Sequence, residues 1–266
     1  MTRIKVLCST SLIAACVAVL CLGCTKNLPP LDRVDDGPRY GESYEIAGLN
    51  LTLLWIEELQ CWVAQTEVTN DQFREFRVSH FVRRFQGKSL MDADQPAVQV
   101  SYEAAEEFLT WLNIREELAD RLPRGWGYKL PNAKQWRFCA IDPDQNRALY
   151  PWGDGWPPPQ GNFGDASARL SGKSNLGDYD DGFPVSCAVM DSGQNLKGFY
   201  GMSGNAFEWV DDWYTSRHNR RLLLGGSWRS SDRLALESKF RAKNRPSYKS
   251  DEIGFRIILS YHGSQL

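Results

Sequence analysis

The sequence predicts an α+β fold: two or three helices first, then a long, loop-rich β portion. Three observations carry this. Thr69 and Ser101 are good N-caps, each followed by apolar residues at helical spacing, and a third short helix follows Leu130-Pro131-Asn132. From Tyr150 onward Gly, Pro, Asp and Asn punctuate short apolar runs. Ten tryptophans, many beside Gly or Pro, suit a loop-rich fold with aromatic pins better than a helical bundle.

In chain order, residues 1–23 read as a secretory signal of the lipoprotein type. Arg3 and Lys5 supply a basic start, Leu12 to Leu22 is almost wholly apolar, and Gly23 precedes Cys24. The apolar run is shorter than the ~18–20 residues of a membrane span. Cys24 is therefore the expected lipidation site, and the outer membrane of a bacterial envelope the expected destination. Cys16, after Ile13-Ala14-Ala15, is a rival cut site that would leave an apolar tail exposed. Residues 24–48 read as a flexible tether, broken by Pro29-Pro30, Gly37-Pro38 and Gly41 without periodicity.

The folded domain is expected over residues 49–262. Leu49 to Ile56 and Cys61 to Ala64 are strand-like apolar runs. Thr69 opens a helix carrying Phe73 and Phe76. After Ser101, Ala104, Ala105, Phe108, Leu109 and Leu112 make one apolar face, with Glu103, Glu106 and Glu107 near the positive helix start. The third helix carries Trp136, Phe138 and Cys139. Near the C-terminus an apolar strand runs into Gly225-Gly226, and an irregular segment rich in Arg, Lys and Ser leads to a last strand, Ile253 to Leu259.

A formal net charge of −2 provides no field to gather nucleic acid. Beyond the signal and Cys24, the cysteines are Cys61, Cys139 and Cys187. Three cannot all pair within one chain, and no spacing forms a metal knuckle. His80, His218 and His262 are isolated, without a carboxylate at facial-triad spacing.

Several phrases together resemble the formylglycine-generating, or sulfatase-modifying factor, family. They are Thr66-Glu67-Val68-Thr69-Asn70, Pro96 to Tyr102, Leu130 to Trp136, Tyr150 to Asp154, Tyr200 to Trp209, Asp212-Trp213-Tyr214, Gly225 to Arg229 with Arg241, and Ile253 to Arg256. They occur in the family's order over roughly residues 49–260, and the resemblance implies a C-type lectin-like fold. In the oxidase members two cysteines after Gly-Gly-Ser hold copper and make formylglycine. The matching positions here are Ser230 and Ala235, neither of which supplies a thiolate. The resemblance therefore implies a pseudoenzyme without copper. Relatives that use iron carry their histidines largely on an added helical domain, which this chain lacks.

The resemblance also implies structural calcium, an ion that prefers hard oxygen ligands. Asn162 and Asp181 would supply side chains, and Phe163 and Phe183 their carbonyls. A weaker second site would use Gly204, Ala206 and Glu208, but its further position falls on Gly201, which has no side chain.

Two functions follow. One is a membrane-tethered binding or assembly module that recognises an envelope protein, peptide or glycan through the 229–249 loop. There Arg229, Arg233, Phe240, Arg241, Arg245 and Tyr248 mix cations with aromatics, as interface cores often do. Relatives of this fold include assembly lipoproteins, secretion regulators and hypervariable ligand-binding proteins. The alternative is a metal-dependent oxidoreductase with a rearranged site built on Glu208, Asp211 or Asp212.

Overall fold

The computed structural model describes residues 37–141, 148–168 and 179–262, together with Leu31 and Leu176. The signal stretch, Cys24 and most of the tether lie outside them. Three helices and two sheets make an α+β, C-type lectin-like fold.

Local chemistry explains the helices. The hydroxyl of Thr69 accepts from the amide of Gln72 while the Gln72 side chain accepts from the Thr69 amide, a reciprocal cap that starts α1, Asn70–Phe76. Ser101 caps α2, Tyr102–Leu118, whose expected apolar face, Ala104 to Leu112, is buried. Asn132 and Gln135 repeat the reciprocal cap at α3, Ala133–Ala140.

The first sheet contains β1 (Tyr44–Ile46), β2 (Leu51–Ile56), β3 (Cys61–Ala64), β4 (Trp126–Lys129) and β9 (Ile258–Tyr261). Its order is β1-β2-β3-β9-β4, all antiparallel. The second sheet contains β5 (Phe207–Trp213), β6 (Arg221–Leu224), β7 (Ala242–Asn244) and β8 (Ile253–Gly254), in the order β7-β6-β5-β8.

Three expectations change. The tether stretch contributes β1, whose Tyr44 and Ile46 are buried against β2, so the folded domain begins before Leu49. Tyr40 packs its ring against both Trp55 and Trp62, which also touch each other. The 229–249 loop is not wholly irregular, because it contains a 3-10 turn, Arg233–Leu236, and β7. The single strand expected over Ile253 to Leu259 is two: β8 pairs in parallel with β5, and β9 pairs with β3 and β4 in the other sheet.

Between β8 and β9 the chain crosses from one sheet to the other as Phe255-Arg256-Ile257, all fully buried. Arg256 donates Nε to Glu208 Oε2 at 2.7 Å and Nη2 to Oε1 at 2.6 Å. Its remaining donors reach the carbonyls of Ala64 at 3.1 Å, Gln65 at 3.3 Å and Tyr200 at 2.8 Å. Trp136 Nε1 of α3 adds a 2.7 Å bond to Glu208. One guanidinium thus ties both sheets, and through Glu208 the third helix, to one point. The geometry is bidentate and charge-assisted, the form in which a buried pair offsets its desolvation best.

Glu67, after β3, is a second fully buried carboxylate beside this pair. Asn205 Nδ2 donates to its Oε1 at 3.0 Å. Oε2 has no partner among the described residues. Burial pushes its carboxyl up to about 7, against the pull of Arg256 and with a further push from Glu208. The folded chain holds this proton more tightly than the unfolded chain does. Stability from this group is therefore full below its ordinary value near 4.5 and declines as pH rises toward about 7. Urea denaturation should show the wild type losing stability relative to Glu67→Gln between about pH 5 and pH 7.5. A difference that does not move with pH would show that Glu67 is ionised throughout.

Candidate functional site

The Gly225–Ser230 stretch sits where β6 ends and the chain doubles back. Gly225 and Gly226 both have positive φ, +97° and +79°, a backbone region that disfavours side chains. A Cβ at Gly225 would lie 3.1 Å from the Trp136 ring. The loop is then locked by its neighbours. Gly204 N donates to Gly225 O at 2.8 Å, Trp228 N to Asn205 O at 3.0 Å, and Trp228 Nε1 to Asp251 O at 3.0 Å. Ser227 Oγ donates to Glu252 Oε2 at 2.7 Å.

Ser230 is buried, and its Oγ accepts from the amide of Ser227 at 3.0 Å, closing a hydroxyl turn. Ala235 is half-buried on the 3-10 turn. It lines a cavity of about 20 Å³ with Trp136, Gly225, Leu236 and Phe240. That space holds little more than one water. Cavities with room for a small molecule lie elsewhere, one of about 380 Å³ beside Gln65, Thr66, Asp71 and Asp94, another of about 360 Å³ beside Trp152 and Leu196.

The carboxylates considered for a rearranged oxidase are each occupied. Glu208 is held by Arg256 and Trp136. Asp211 Oδ1 accepts from Tyr102 Oη and from Arg221 Nη1, both at 2.8 Å. Asp212 Oδ2 accepts the Ala133 amide at the start of α3 at 2.5 Å. The histidines are apart and packed on rings or strands. His80 lies 4.9 Å from the Phe73 ring, and burial with Arg74 and Arg77 nearby lowers it to about 4. His218 stacks on Trp213. His262 lies beside Gly127 and is lowered by burial and Lys129. Cys61, Cys139 and Cys187 are buried free thiols, each pushed up to about 12 chiefly by desolvation. Among the described residues no three His, Cys, Asp or Glu side chains converge as a metal set.

The two calcium positions behave differently. At the first, Asp181 Oδ2 accepts from Phe163 N and Oδ1 from Phe183 N, both at 2.8 Å, so Asp181 meets the amides of the two phenylalanines rather than their carbonyls. Asn162 is fully buried and its Oδ1 has no partner among the described residues. Its Nδ2 donates to Val185 O and Asn205 Oδ1. Burial pushes Asp181 up to about 7, with a further push from Asp165. An unpaired amide oxygen and a desolvated carboxylate fit a hard cation. Asp165, fully buried, accepts the Asp181 amide at 2.5 Å, and the sequence reading missed it. Its signal was an acid two residues after a buried Asn-Phe pair.

The second position does not fit. Glu208 has both oxygens on Arg256, so a cation there would compete with a guanidinium already in place. At Gly201, φ +67°, a Cβ would fall inside the carboxylate of Glu67. The place of a side chain at 201 is filled from β3's end by Glu67, which the sequence reading also missed. It stands in the family phrase Thr66 to Asn70, but nothing there assigns the acid a role.

The residues chosen for a binding surface divide. Arg229 is folded inward over Phe85 and Trp228, with its Nη1 3.1 Å from Asp251 and 3.4 Å from Glu252. Arg233 is exposed and lies 4.1 Å over Trp156. Phe240 is half-buried. Arg241, Arg245 and Tyr248 are exposed on or beside β7, an edge strand. Arg241 and Lys243 lie over Tyr214, at 5.1 and 3.8 Å.

Comparison with known proteins agrees with this architecture. The family of the sulfatase-modifying factor enzyme 1-like domain matches residues 56–261. The formylglycine-generating enzyme of Bos taurus is 26% identical over 184 residues, covering 63% of this chain and 45% of the bovine protein. Serine/threonine-protein kinase pkn1 of Chlamydia caviae is 22% identical over 222 residues, covering 76% of this chain and 30% of the kinase. The chain thus matches less than half the length of either relative. PvdO from Pseudomonas aeruginosa superposes with a TM-score of 0.61 at 15% identity, over 84% of this chain and 100% of that one. Treponema denticola variable protein 1 does so with a TM-score of 0.55 at 16% identity, over 82% and 98%. These two likenesses are of fold. With the family match running across most of its length, the chain belongs to the sulfatase-modifying factor family.

Proposed function

We propose that this protein is a non-catalytic binding or assembly module of the bacterial cell envelope. It is anchored through a lipid on Cys24, at the outer membrane, and recognises an envelope protein, peptide or glycan through the 229–249 segment. The observation that carries this reading is the state of the family's reactive positions. Ser230 spends its hydroxyl on a turn, and Ala235 faces a cavity of about 20 Å³. A hydroxyl and a methyl do not hold copper(I), whose soft character calls for thiolates. The segment nonetheless keeps exposed cations beside aromatic rings, the mixture that interface cores favour. No helix among the described residues is long and apolar enough to cross a membrane.

Calcium has a structural place in this proposal. Asn162, Asp181 and the carbonyls of Phe163 and Phe183 would hold it, and the ion would neutralise the desolvated acid and pin two loops together. After EDTA treatment, calcium at about a hundred times its dissociation constant should stabilise the fold by about 2.7 kcal/mol. At this chain length that is a rise of about 5–10 °C in melting temperature. Asp181→Asn should abolish the rise, and a wild-type melting temperature indifferent to calcium would remove the ion from the account.

The direct test of recognition is affinity capture from detergent-solubilised envelope with the full lipidated chain as bait. The reading expects one protein or glycan retained at physiological salt and diminished when cations of the 229–249 segment are reversed to Glu. Retention of nothing beyond a control lipoprotein would overturn it.

A further inference from the structure

Charge along the 229–249 segment is compensated unevenly. Arg229 pairs with Asp251 and Glu252, and Lys239 with Glu237. Arg233, Arg241, Lys243, Arg245 and Lys249 have no ion pair among the described residues, and of these Arg241, Lys243 and Arg245 gather at β7. Lys243 on β7 and Arg241 and Arg245 at its two flanks are exposed at every second position, while Ala242 and Asn244 between them are half-buried. Among the described residues β7 pairs with β6 alone, so its other side is the end of the sheet. Two of the three cations are held in place by one ring, with Lys243 Nζ 3.8 Å and Arg241 Cζ 5.1 Å from the Tyr214 centroid. Arg137 of α3 feels the repulsion of Arg241, partly offset by the Asp212 carboxylate, and its Nε is buried without a partner among the described residues. Like charges gathered on one surface cost free energy unless something negative arrives.

We propose that the free edge of β7 takes an extended peptide from a partner protein, with acidic side chains at every second position. This rests on the recognition reading above and narrows it to one strand and one ligand chemistry. An added strand places its alternate side chains on the same face at the spacing of Arg241, Lys243 and Arg245. Directly opposed residues of opposite charge stabilise such a pair, and backbone hydrogen bonds along the edge supply affinity that does not depend on sequence. Cations on an edge also deter unplanned pairing between copies of a chain. That deterrence is selective, because an acidic strand meets attraction where a neutral or basic one does not.

The test is fluorescence anisotropy of the full chain with two labelled octapeptides of identical composition, at physiological salt, where bare charges are screened beyond about 8 Å. One peptide alternates Glu with Val; the other carries its Glu residues in one block. The alternating peptide should bind about tenfold tighter. The preference should vanish in Arg241→Glu/Lys243→Glu and persist in Arg233→Glu, whose cation lies over Trp156 instead. Equal binding of both peptides would overturn the proposal, since charge alone would then explain it, as would binding seen only at low salt. Affinity capture separates this failure from that of the broader reading. A partner retained equally by wild type and by Arg241→Glu/Lys243→Glu keeps recognition but removes the β7 edge from it.

Discussion

The fold depends on one buried guanidinium. Arg256 lies where a single apolar run leaves one sheet and joins the other, and it has no solvent to answer its charge. Everything it touches is therefore a constraint on some other element. Glu208 fixes the register of β5, the carbonyls of Ala64 and Gln65 fix the exit from β3, and that of Tyr200 fixes the turn before β5. Removing one partner of such a pair typically costs about 3–5 kcal/mol, because the other charge is left buried and alone. Glu67 completes the cluster from the other side, occupying the space that glycine at 201 leaves open. The raised carboxyl of Glu67 makes this junction respond to pH in a way an apolar junction would not.

The same junction presents the Gly225–Ser230 turn. Its backbone is dictated by positive φ at two glycines and by bonds to Gly204, Asn205 and Glu252. The side chain at 235 takes no part in these bonds, whereas the Ser230 hydroxyl adds one more by accepting the Ser227 amide. On the proposed reading the architecture persists without the family's thiolates and the loop serves through its outer surface. The structure divides that surface by charge. Arg229 is answered by Asp251 and Glu252, whereas Arg241, Lys243 and Arg245 have no ion pair among the described residues.

Much of this was legible in the sequence because it is local. Thr69, Ser101 and Asn132 announce the three helices through their caps, and the burial of Ala104 to Leu112 follows from spacing alone. What was not legible is long-range or short. Tyr44–Ile46 and Ala242–Asn244 are three residues each, too few to show alternation, and become strands only through their partners. The division of Ile253 to Leu259 between two sheets shows in the sequence only as Arg256 amid apolar residues, which names neither sheet. Glu67 and Asp165 escaped for a related reason. Their meaning lies in residues about 140 and 16 positions away, Asn205 and Asp181, and no local motif names those partners. The inward fold of Arg229 likewise depends on Asp251, across the loop.

The central claim is that this chain keeps the family's scaffold without its thiolate metal chemistry. Quantitative elemental analysis of the full chain, purified from its native host without chelator, tests it most directly. The account predicts less than about a tenth of an equivalent of copper or iron, since Ser230, Ala235 and the occupied carboxylates offer no set for either. Copper or iron at one equivalent per chain would contradict it and return the protein to the oxidases of its family.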